Sequence, residues 1–471
     1  MNKQHILLAA LLSASLGGCM APKYVRPALP VPDALPAQGG EAVAPNPADL
    51  AWRAFFTDLR LRNIIQLALD NNRDLRVALA NVEQARALYR VQRADLLPTI
   101  GVNGNATYQN YPGGVSGAGG AGGGTVLGGR NDIYTASVGV SAWEIDLFGR
   151  IRNLSKAALE QYFASVENRN AAQVALIAEV ATAWLTLATD QERLRIARDT
   201  EKAFGETLAL TRARFAKGIA SELEVRQAQT SYDQARSDIA EGVTRVDQAR
   251  NALNLLAGTT VGTELLPANL PDAGTTVAQL PADLPSEVLL RRPDIAAAEH
   301  QLRAANANIG AARAAFFPRI SLTAAFGTIS LGLSNLFGNG SDYWSVAPSA
   351  SVPIFDFGRN QGNLRYAEAT RDVMVAQYER SIQTGFREVA DALARRGTID
   401  NQLEAQASLR EAAAVAYRLS DARFRSGIDP FLTTLDSQRT LYSAEQSLLA
   451  TRFVRESNAV ELYRALGGGL M

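Results

Sequence analysis

The chain has very few of the side chains that most enzymes use for catalysis. It contains two histidines, His5 and His300, and a single cysteine, Cys19. A zinc site, a cysteine–histidine pair and a Ser-His-Asp triad all draw on these residue types, so none of them is expected. No lysine directly follows a glycine, which excludes a Walker A phosphate-binding loop. We therefore predict no catalytic residue, no metal and no cofactor.

The chain also lacks an excess of charge of either sign. Lysine and arginine together number 47, and so do aspartate and glutamate. Because proteins that bind nucleic acid usually carry a surplus of basic residues, no nucleic-acid partner is expected. The run Gly117 to Gly122 has the spacing of a dinucleotide-binding motif, but no amphipathic helix follows it. We interpret this run as part of a flexible loop.

Residues 1–18 are predicted to be an export signal. Lys3 gives a basic start, and the apolar run from Ile6 to Leu12 is too short for a stable membrane anchor. The signal leads into Leu16-Gly17-Gly18-Cys19, which resembles the bacterial lipobox, whose cysteine becomes the acylated first residue of the mature protein. The alternative is a chance cysteine at the end of an ordinary signal. Met20, rather than an aspartate, follows Cys19, so sorting to the outer membrane is expected.

One long stretch of sequence occurs twice. Residues 148–258 recur as 357–467 at a shift of 209, and residues 74–98 match 294–318 at a shift of 220. Each copy is predicted to contain a helix, two strands, a very long helix, a tight turn and a returning helix. The predicted divisions are the signal (1–18), an extended and equatorial segment (19–60), the first repeat (61–258), an equatorial linker (259–285), the second repeat (286–467) and a tail (468–471).

Four segments alternate between apolar and polar residues, as strands do. Each has about the 10 residues of a tilted membrane strand, and aromatic residues cluster near the ends. The alternative is one side of a soluble β-sandwich. Since four strands are too few to close a barrel, a membrane barrel needs several chains, and Pro348 is expected to distort its strand. The segments are Thr99 to Tyr108, Tyr134 to Trp143, Ile320 to Gly327 and Trp344 to Ile354.

The rest of each repeat has helical periodicity. Leu61 to Leu97 is predicted to form the first helix. From Arg150 to about Phe215 there is no proline, and apolar residues recur at coiled-coil spacing. Its most apolar part, Ala171 to Ala188, contains a glutamine and a glutamate, so we interpret it as a packed helix rather than a membrane span. Returning helices are predicted at Glu222 to Leu256 and Phe431 to Leu466.

Six motifs spread over nearly the whole chain are distinctive. They are Pro22-Lys23-Tyr24-Val25-Arg26-Pro27, Trp52 with Phe55-Phe56, Asn72-Arg73-Asp74-Leu75-Arg76, Trp143-Glu144-Ile145-Asp146-Leu147-Phe148-Gly149-Arg150, Leu290-Arg291-Arg292-Pro293-Asp294-Ile295 and Ala311-Ala312-Arg313-Ala314-Ala315-Phe316-Phe317-Pro318. Together they resemble the TolC-like outer membrane factors, most closely the OprM-like lipoprotein branch. The resemblance implies a mainly α chain with a transmembrane β part, and a homotrimer in which a twelve-stranded β-barrel, four strands per chain, continues into a coiled-coil α-barrel.

The same resemblance implies a function, a location and partners. It implies a lipid-anchored exit channel in the outer membrane that extends into the periplasm and passes antibiotics or other small toxic compounds. The implied partners are two further copies of the chain, a periplasmic adaptor (membrane fusion protein), an inner-membrane RND transporter and outer-membrane lipid. Two alternatives stay open: the duct of a type I protein secretion system, and a periplasmic coiled-coil scaffold that transports nothing.

The resemblance also assigns site residues by position. Leu432 and Asp436 resemble the family's periplasmic constriction, and Arg439, one turn on, resembles the basic partner that holds it shut. A carboxylate repeated around a three-fold axis resists closure unless a cation balances it. The alternative is that Asp436 is a solvated charge on a helix surface. In the first repeat, Gln227 stands where the second has Asp436.

Two glycine turns join each long helix to its returning helix. They contain Gly218-Ile219 and Gly427-Ile428, and glycine is the usual residue after the last turn of a helix. The resemblance implies that these turns contact the helical hairpins of the adaptor. The alternative is that the glycines serve only the geometry of the turn.

Overall fold

The computed structural model describes residues 21–36, 51–111, 129–272, 274–276 and 285–468. Cys19, the predicted signal and most of the predicted glycine-rich loop lie outside these ranges. The described helices are α1 (Trp52–Phe55), α2 (Leu59–Asn71), α3 (Arg73–Ala94), α4 (Arg150–Ala216), α5 (Glu222–Ala257), α6 (Pro293–Ala314), α7 (Arg359–Arg425) and α8 (Phe431–Ala465). The strands are β1 (Ile100–Tyr111), β2 (Gly129–Glu144), β3 (Arg319–Ser330) and β4 (Asp342–Ser351).

The chain divides into two compact units. The first, which we call the sheet unit, contains residues 83–163 and 300–376 together with the described N-terminal residues up to 26. The second, the helical unit, contains the described residues of 27–82, 164–299 and 377–471. The sheet lies in the first unit, and both glycine turns lie in the second.

The sheet unit holds one antiparallel sheet with the strands in chain order. Pairing of β1 with β2 runs from Ile100–Val140 to Tyr111–Gly129, and β4 pairs with β3. The four predicted strands are therefore confirmed, although β2 begins earlier than predicted and β4 ends earlier. β1 and β4 are edge strands, so each has one side without a partner in the described chain.

The two faces of the sheet differ in polarity. One row across all four strands is apolar, and its side chains point to one face: Val102, Val138, Phe326 and Trp344. Val102 is 81% exposed and Trp344 is 75% exposed. The adjacent row points to the opposite face and is more polar: Asn103, Ser137, Gly327 and Tyr343. An exposed apolar face opposite a polar one is the pattern of a barrel strand that faces lipid on one side.

Two glycines allow β2 and β3 to approach closely on the polar face. A Cβ atom on Gly139 would lie 2.1 Å from the carbonyl oxygen of Ala324, and one on Gly327 would lie 2.1 Å from that of Ala136. No other residue fits at that separation, because the neighbouring atom is backbone and does not give way.

The prediction that Pro348 distorts its strand is wrong. Pro348 pairs with Leu322 without any shift in register, because β4 is an edge strand and proline is tolerated there. The irregularity lies instead in β2, between Val140 and Trp143. Ala142 has a φ of 50° there, and its N–H donates to the Thr323 hydroxyl at 3.1 Å.

The predicted single first helix is also wrong, because it is two helices. α2 ends at Asn71, and α3 begins at Arg73. Asn72 between them has an extended ψ of 135°, and its side-chain oxygen accepts a hydrogen bond from the Leu75 N–H at 2.9 Å. This is the role of a helix N-cap. The apolar spacing continues across the break, which is why periodicity alone missed it.

α4 and α7 are the longest helices described, with 67 residues each, or about 100 Å of helix. By length and composition, α4 contains one window apolar enough to cross a membrane, but 56% of that window is buried within the protein. Trp184 in α4 is fully enclosed, and its indole N–H donates to the Leu265 carbonyl at 3.2 Å. These contacts support the interpretation of α4 as a packed helix.

In the helical unit, the start of α3 meets the end of α5, which we call the first joint. The Asn72 side-chain amide donates to the Leu256 carbonyl at 2.9 Å. Gly258 caps α5 in the left-handed region with φ 69°. A Cβ atom there would lie 2.4 Å from the Asn71 carbonyl oxygen, so glycine is required by both conformation and space.

The second joint occupies the equivalent place in the second repeat, between α6 and α8. The Arg292 guanidinium donates to the Ala465 carbonyl at 2.6 Å and to Glu388 at 3.0 Å, and it also binds Asp294. Arg292 is only 4% exposed. Burial acts to lower its pKa, but the hydrogen bonds and charges of Asp294 and Glu388 outweigh burial and raise the pKa above its ordinary value.

The linker and the N-terminal segment pair with each other in the helical unit. The Thr57 N–H donates to the Thr275 carbonyl at 2.8 Å, and the Ser286 N–H donates to the Asp33 carbonyl at 2.8 Å. The Phe55 ring stacks on Tyr463 of α8 with ring centres 4.1 Å apart. Residues far apart in sequence therefore share one packed layer.

Candidate functional site

The two glycine turns have nearly the same backbone. Gly218 has φ 74° and Gly427 has φ 78°. The Ile219 N–H donates to the Arg214 carbonyl, and the Ile428 N–H donates to the Arg423 carbonyl, each at 2.9 Å. These bonds close the ends of α4 and α7 as a left-handed glycine cap does. Both isoleucines are exposed to the same extent, 63%.

The side chains around the turns differ between the copies. Ser221 caps α5 in a reciprocal capping box with Glu224. α8 begins after Pro430 without a side-chain cap, and Asp429 is held instead by two hydrogen bonds from Arg423, at 2.7 and 2.8 Å. These hydrogen bonds hold the pKa of Asp429 below its ordinary value.

A buried apolar cluster lies behind the turns and draws on all four long helices. We call it the tip cluster: Phe204, Leu208, Ala228, Ala235, Phe424, Phe431 and Leu435. Phe424, at the end of α7, is 3% exposed, whereas its counterpart Phe215 at the end of α4 is 47% exposed. The Arg214 guanidinium lies over the Phe424 ring at 4.7 Å. The end of α7 is therefore buried in the cluster, whereas the equivalent end of α4 is exposed.

The three predicted gate residues lie on successive turns of α8, and all are exposed. Leu432 is in the first helical turn of α8. Among the described residues, the Asp436 carboxylate has no hydrogen-bonding or ion-pairing side chain. Arg439 does not contact Asp436 within the chain, since its Nε atom donates to the Ser231 hydroxyl on α5 at 2.9 Å.

Two further residues attach α8 to the first repeat, and sequence reasoning missed both. The Tyr442 hydroxyl donates to Asp238 on α5 at 2.8 Å. Burial and this hydrogen bond raise the pKa of Tyr442 above its ordinary value. Gln438, which is buried, faces Thr207 on α4. Both residues lie within one helical turn of Arg439, which was a signal that they belong to the same region. Their partners on α4 and α5 are more than 200 positions away in sequence, so the contacts themselves could not be predicted.

The contacts around α8 are hydrogen bonds that join neighbouring helices. Among the described residues, no group of three or more His, Cys, Asp or Glu side chains could hold a metal ion. The polar contacts of α8 instead join the α7–α8 hairpin to the α4–α5 hairpin at one level, beside exposed apolar turns. Such contacts fix the position of α8 against α4 and α5.

Comparison with known proteins identifies the chain. The profile described as outer membrane efflux protein matches residues 64–259 and 284–468, which cover most of both repeats. The chain belongs to the outer membrane efflux protein family. This efflux protein is 46% identical over 460 residues to the solvent efflux pump outer membrane protein SrpC of Pseudomonas putida, with 96% of each chain covered.

Solved structures agree with this assignment. The efflux protein matches the crystal structure of a membrane protein from Pseudomonas aeruginosa with a TM-score of 0.88 at 41% identity, covering 96% of this chain and 98% of the other. It matches the open state of the Neisseria gonorrhoeae MtrE outer membrane channel with a TM-score of 0.85 at 39% identity, with the same coverage. The predicted TolC-like fold, efflux role and outer-membrane location are confirmed.

Proposed function

We propose that the efflux protein works as a homotrimer and forms the exit duct of a tripartite pump for small toxic organic compounds. An inner-membrane RND transporter drives the export, and a periplasmic adaptor connects it to the duct. The observation that carries this proposal is the open four-stranded sheet, which has an exposed apolar face and two edge strands that pair with nothing further in the described chain.

Three copies of this sheet close a barrel. Strand β4 of one chain pairs with β1 of the next, which gives twelve strands, within the range of natural membrane barrels. The apolar row faces lipid, and the polar inner face lines the pore. Purified trimers reconstituted into a planar bilayer are expected to conduct ions. If a correctly assembled trimer gives no conductance in the bilayer, the proposal that it forms a channel is wrong.

The class of substrate follows from the relatives. Similar proteins are named for the efflux of solvents, toluene and antibiotics, so we propose hydrophobic small molecules for this one. Deletion of the gene is expected to sensitise cells to solvents and apolar antibiotics, and the intact gene is expected to restore resistance. A defect only in export of a polypeptide would point to type I secretion instead.

We propose that Leu432, Asp436 and Arg439 form the periplasmic gate on α8. In a trimer each appears three times around the axis, so three Asp436 carboxylates repel one another. The contacts of Arg439 with Ser231 and of Tyr442 with Asp238 hold α8 against α5. The gate opens when these contacts break and α8 moves away.

Replacing Asp436 and Arg439 together with alanine is expected to open this gate, because the loss of the Arg439 contact that holds α8 against α5 outweighs the relief of repulsion between the Asp436 carboxylates. Cells whose transporter is inactive should then take up antibiotics too large for general porins at a rate several-fold above wild type. The matched control replaces Gln227 and Thr230, the counterparts in the first repeat, and it should leave uptake unchanged. Equal uptake by both double variants and wild type would remove these residues from the gate.

We propose that Cys19 carries lipid that anchors the mature N-terminus in the outer membrane. The chain just after Cys19 is seated on α6 in the sheet unit: Asn306 donates to the Pro22 carbonyl at 2.8 Å, and Arg303 lies over the Tyr24 ring at 5.1 Å. This seat supports a fixed position for the acyl chains. Cys19→Ser should abolish metabolic labelling with palmitate, and labelling that persists would exclude Cys19.

We propose that the two glycine turns bind the adaptor. Ile219 and Ile428 are exposed apolar side chains at the ends of hairpins, which suits a helical partner. Replacing either isoleucine with glutamate should weaken crosslinking to the adaptor and reduce efflux, while trimer assembly stays normal. Lys217→Glu in the same turn controls for charge alone. Unchanged crosslinking of both isoleucine variants would remove the turns from the contact.

A further inference from the structure

Gln438 is a buried amide in the helix that carries the gate. It is 3% exposed and lies one residue before Arg439 on α8. Its Oε1 atom is 3.4 Å from the Thr207 hydroxyl of α4. Its Nε2 atom is enclosed and has no hydrogen-bond partner in the described part of the chain.

Thr207 does not satisfy this amide in either orientation. The hydroxyl has one proton, which it donates to the Ala203 carbonyl at 3.0 Å, a shorter distance than that to Gln438. If the amide is flipped, its nitrogen donates to the Thr207 oxygen, and its oxygen then lies where the nitrogen was and has no donor. One end of the amide is therefore unsatisfied in both cases.

A neighbouring subunit cannot supply the hydrogen bond that the Gln438 amide lacks. The Nε2 atom is enclosed by helices of its own chain, so no partner surface reaches it while α8 stays packed on α4. Only a movement of α8 from α4 lets water or a new partner reach the amide. Because an unsatisfied buried donor destabilises the packing around it, this site favours separation of the two helices.

The first repeat provides an internal reference. Gln229 occupies the position of Gln438 at the same shift of 209 residues. Its amide donates to Asp233 at 2.7 Å and accepts from Arg212, at the protein surface. The same residue is thus satisfied in one copy and unsatisfied in the other, and only the unsatisfied one lies on the gate helix.

We infer that Gln438 is a positioning residue for gating, which keeps the packing of α8 on α4 weak enough for the gate to open. This rests on the proposed function. The amide sets the balance between packed and separated α8, while Leu432, Asp436 and Arg439 block the passage. An apolar side chain of similar volume at this position strengthens the packing.

The test compares Gln438→Leu with Gln229→Leu in full-length trimers. Gln438→Leu is expected to lower the open probability in planar bilayers and to slow hydrogen exchange of backbone amides in α8, each by about tenfold. Gln229→Leu should match wild type in both measurements. Gln438→Met, a more flexible replacement, should act in the same direction and serves if the leucine variant does not assemble.

The inference is wrong if, in both Gln438 variants, hydrogen exchange in α8 is no slower and the open probability is no lower than in wild type. The two measurements also separate this inference from the proposed function. If wild-type trimers do not conduct, the channel proposal fails, whereas the exchange rates still decide whether the Gln438 amide weakens the packing of α8.

Discussion

The two repeats of this efflux protein have nearly the same backbone at their turns but different side chains at equivalent places. The glycine turns match in φ to within a few degrees and in their closing hydrogen bonds. Yet Phe424 is buried where Phe215 is exposed, and Asp436 stands where the first repeat has Gln227. The two copies thus share the path of the chain at the turns and differ in the groups that we assign to the gate.

The largest expected difference between the copies is at the joints. Arg292→Ala leaves the Ala465 carbonyl without its donor and leaves Glu388 paired with Arg464 alone, so it should lower stability by about 2–3 kcal/mol. Asn72→Ala removes neutral hydrogen bonds only and should lower it by about 1–2 kcal/mol. Thermal unfolding of the purified protein checks the order, and equal losses would contradict it.

The two turns should respond alike to loss of glycine. Gly218→Ala and Gly427→Ala each place a Cβ atom in a left-handed conformation, which destabilises by about 1–2 kcal/mol. No atom lies within 4 Å of the added carbon in either turn, so no clash adds to the strain. Denaturant titration of each single variant measures the effect. A loss in one turn at least double that in the other would show that the turns are not equivalent.

The contact between α8 and α5 is expected to matter somewhat less for stability. Tyr442→Phe removes the hydrogen bond to Asp238 and should destabilise by about 1 kcal/mol. Since the folded-state pKa of Tyr442 is raised, its contribution is complete below its ordinary pKa of about 10 and is lost only in stronger alkali. Hydrogen exchange of α8 amides at neutral pH measures the loss. Asp233→Asn, at the counterpart position in the first repeat, should leave α8 unchanged.

The smallest expected effect is at the second turn. The pKa of Asp429 is lowered by its hydrogen bonds with Arg423, so the contact stabilises the turn above the ordinary carboxyl pKa of about 3.9 and is lost as pH falls through the folded value. Asp429→Ala, which gives this turn the Ala220 of the first repeat, should remove the acid sensitivity. The chemical shift of the Asp429 carboxyl, followed from pH 6 to pH 2 in the wild type, checks that its pKa is lowered.

Much of this fold could be predicted from the sequence, because the repeat doubled each signal. Alternation marked the strands, and glycine marked the turns. The break at Asn72 was missed because capping depends on one side chain while the apolar spacing continues. The bulge at Ala142 was missed because it depends on the neighbouring strand.

The candidate site was only partly predictable. The family resemblance assigned Leu432, Asp436 and Arg439 to a gate, which stays a prediction, and nothing in the sequence of α8 indicated that Arg439 binds Ser231 rather than Asp436. Gln438 and Gln229 are identical letters in aligned positions, and only tertiary packing distinguishes a buried amide from a surface one.

The two joints have a mechanical consequence. Within each repeat, the long helix carries a twisting force through continuous backbone, whereas the joint carries it through side-chain hydrogen bonds. Each joint can therefore act as a swivel. The first joint is held by a hydrogen bond from the neutral amide of Asn72. The second is held by the Arg292 guanidinium, which forms ion pairs with two carboxylates. The second joint should therefore resist rotation of its helices more strongly than the first.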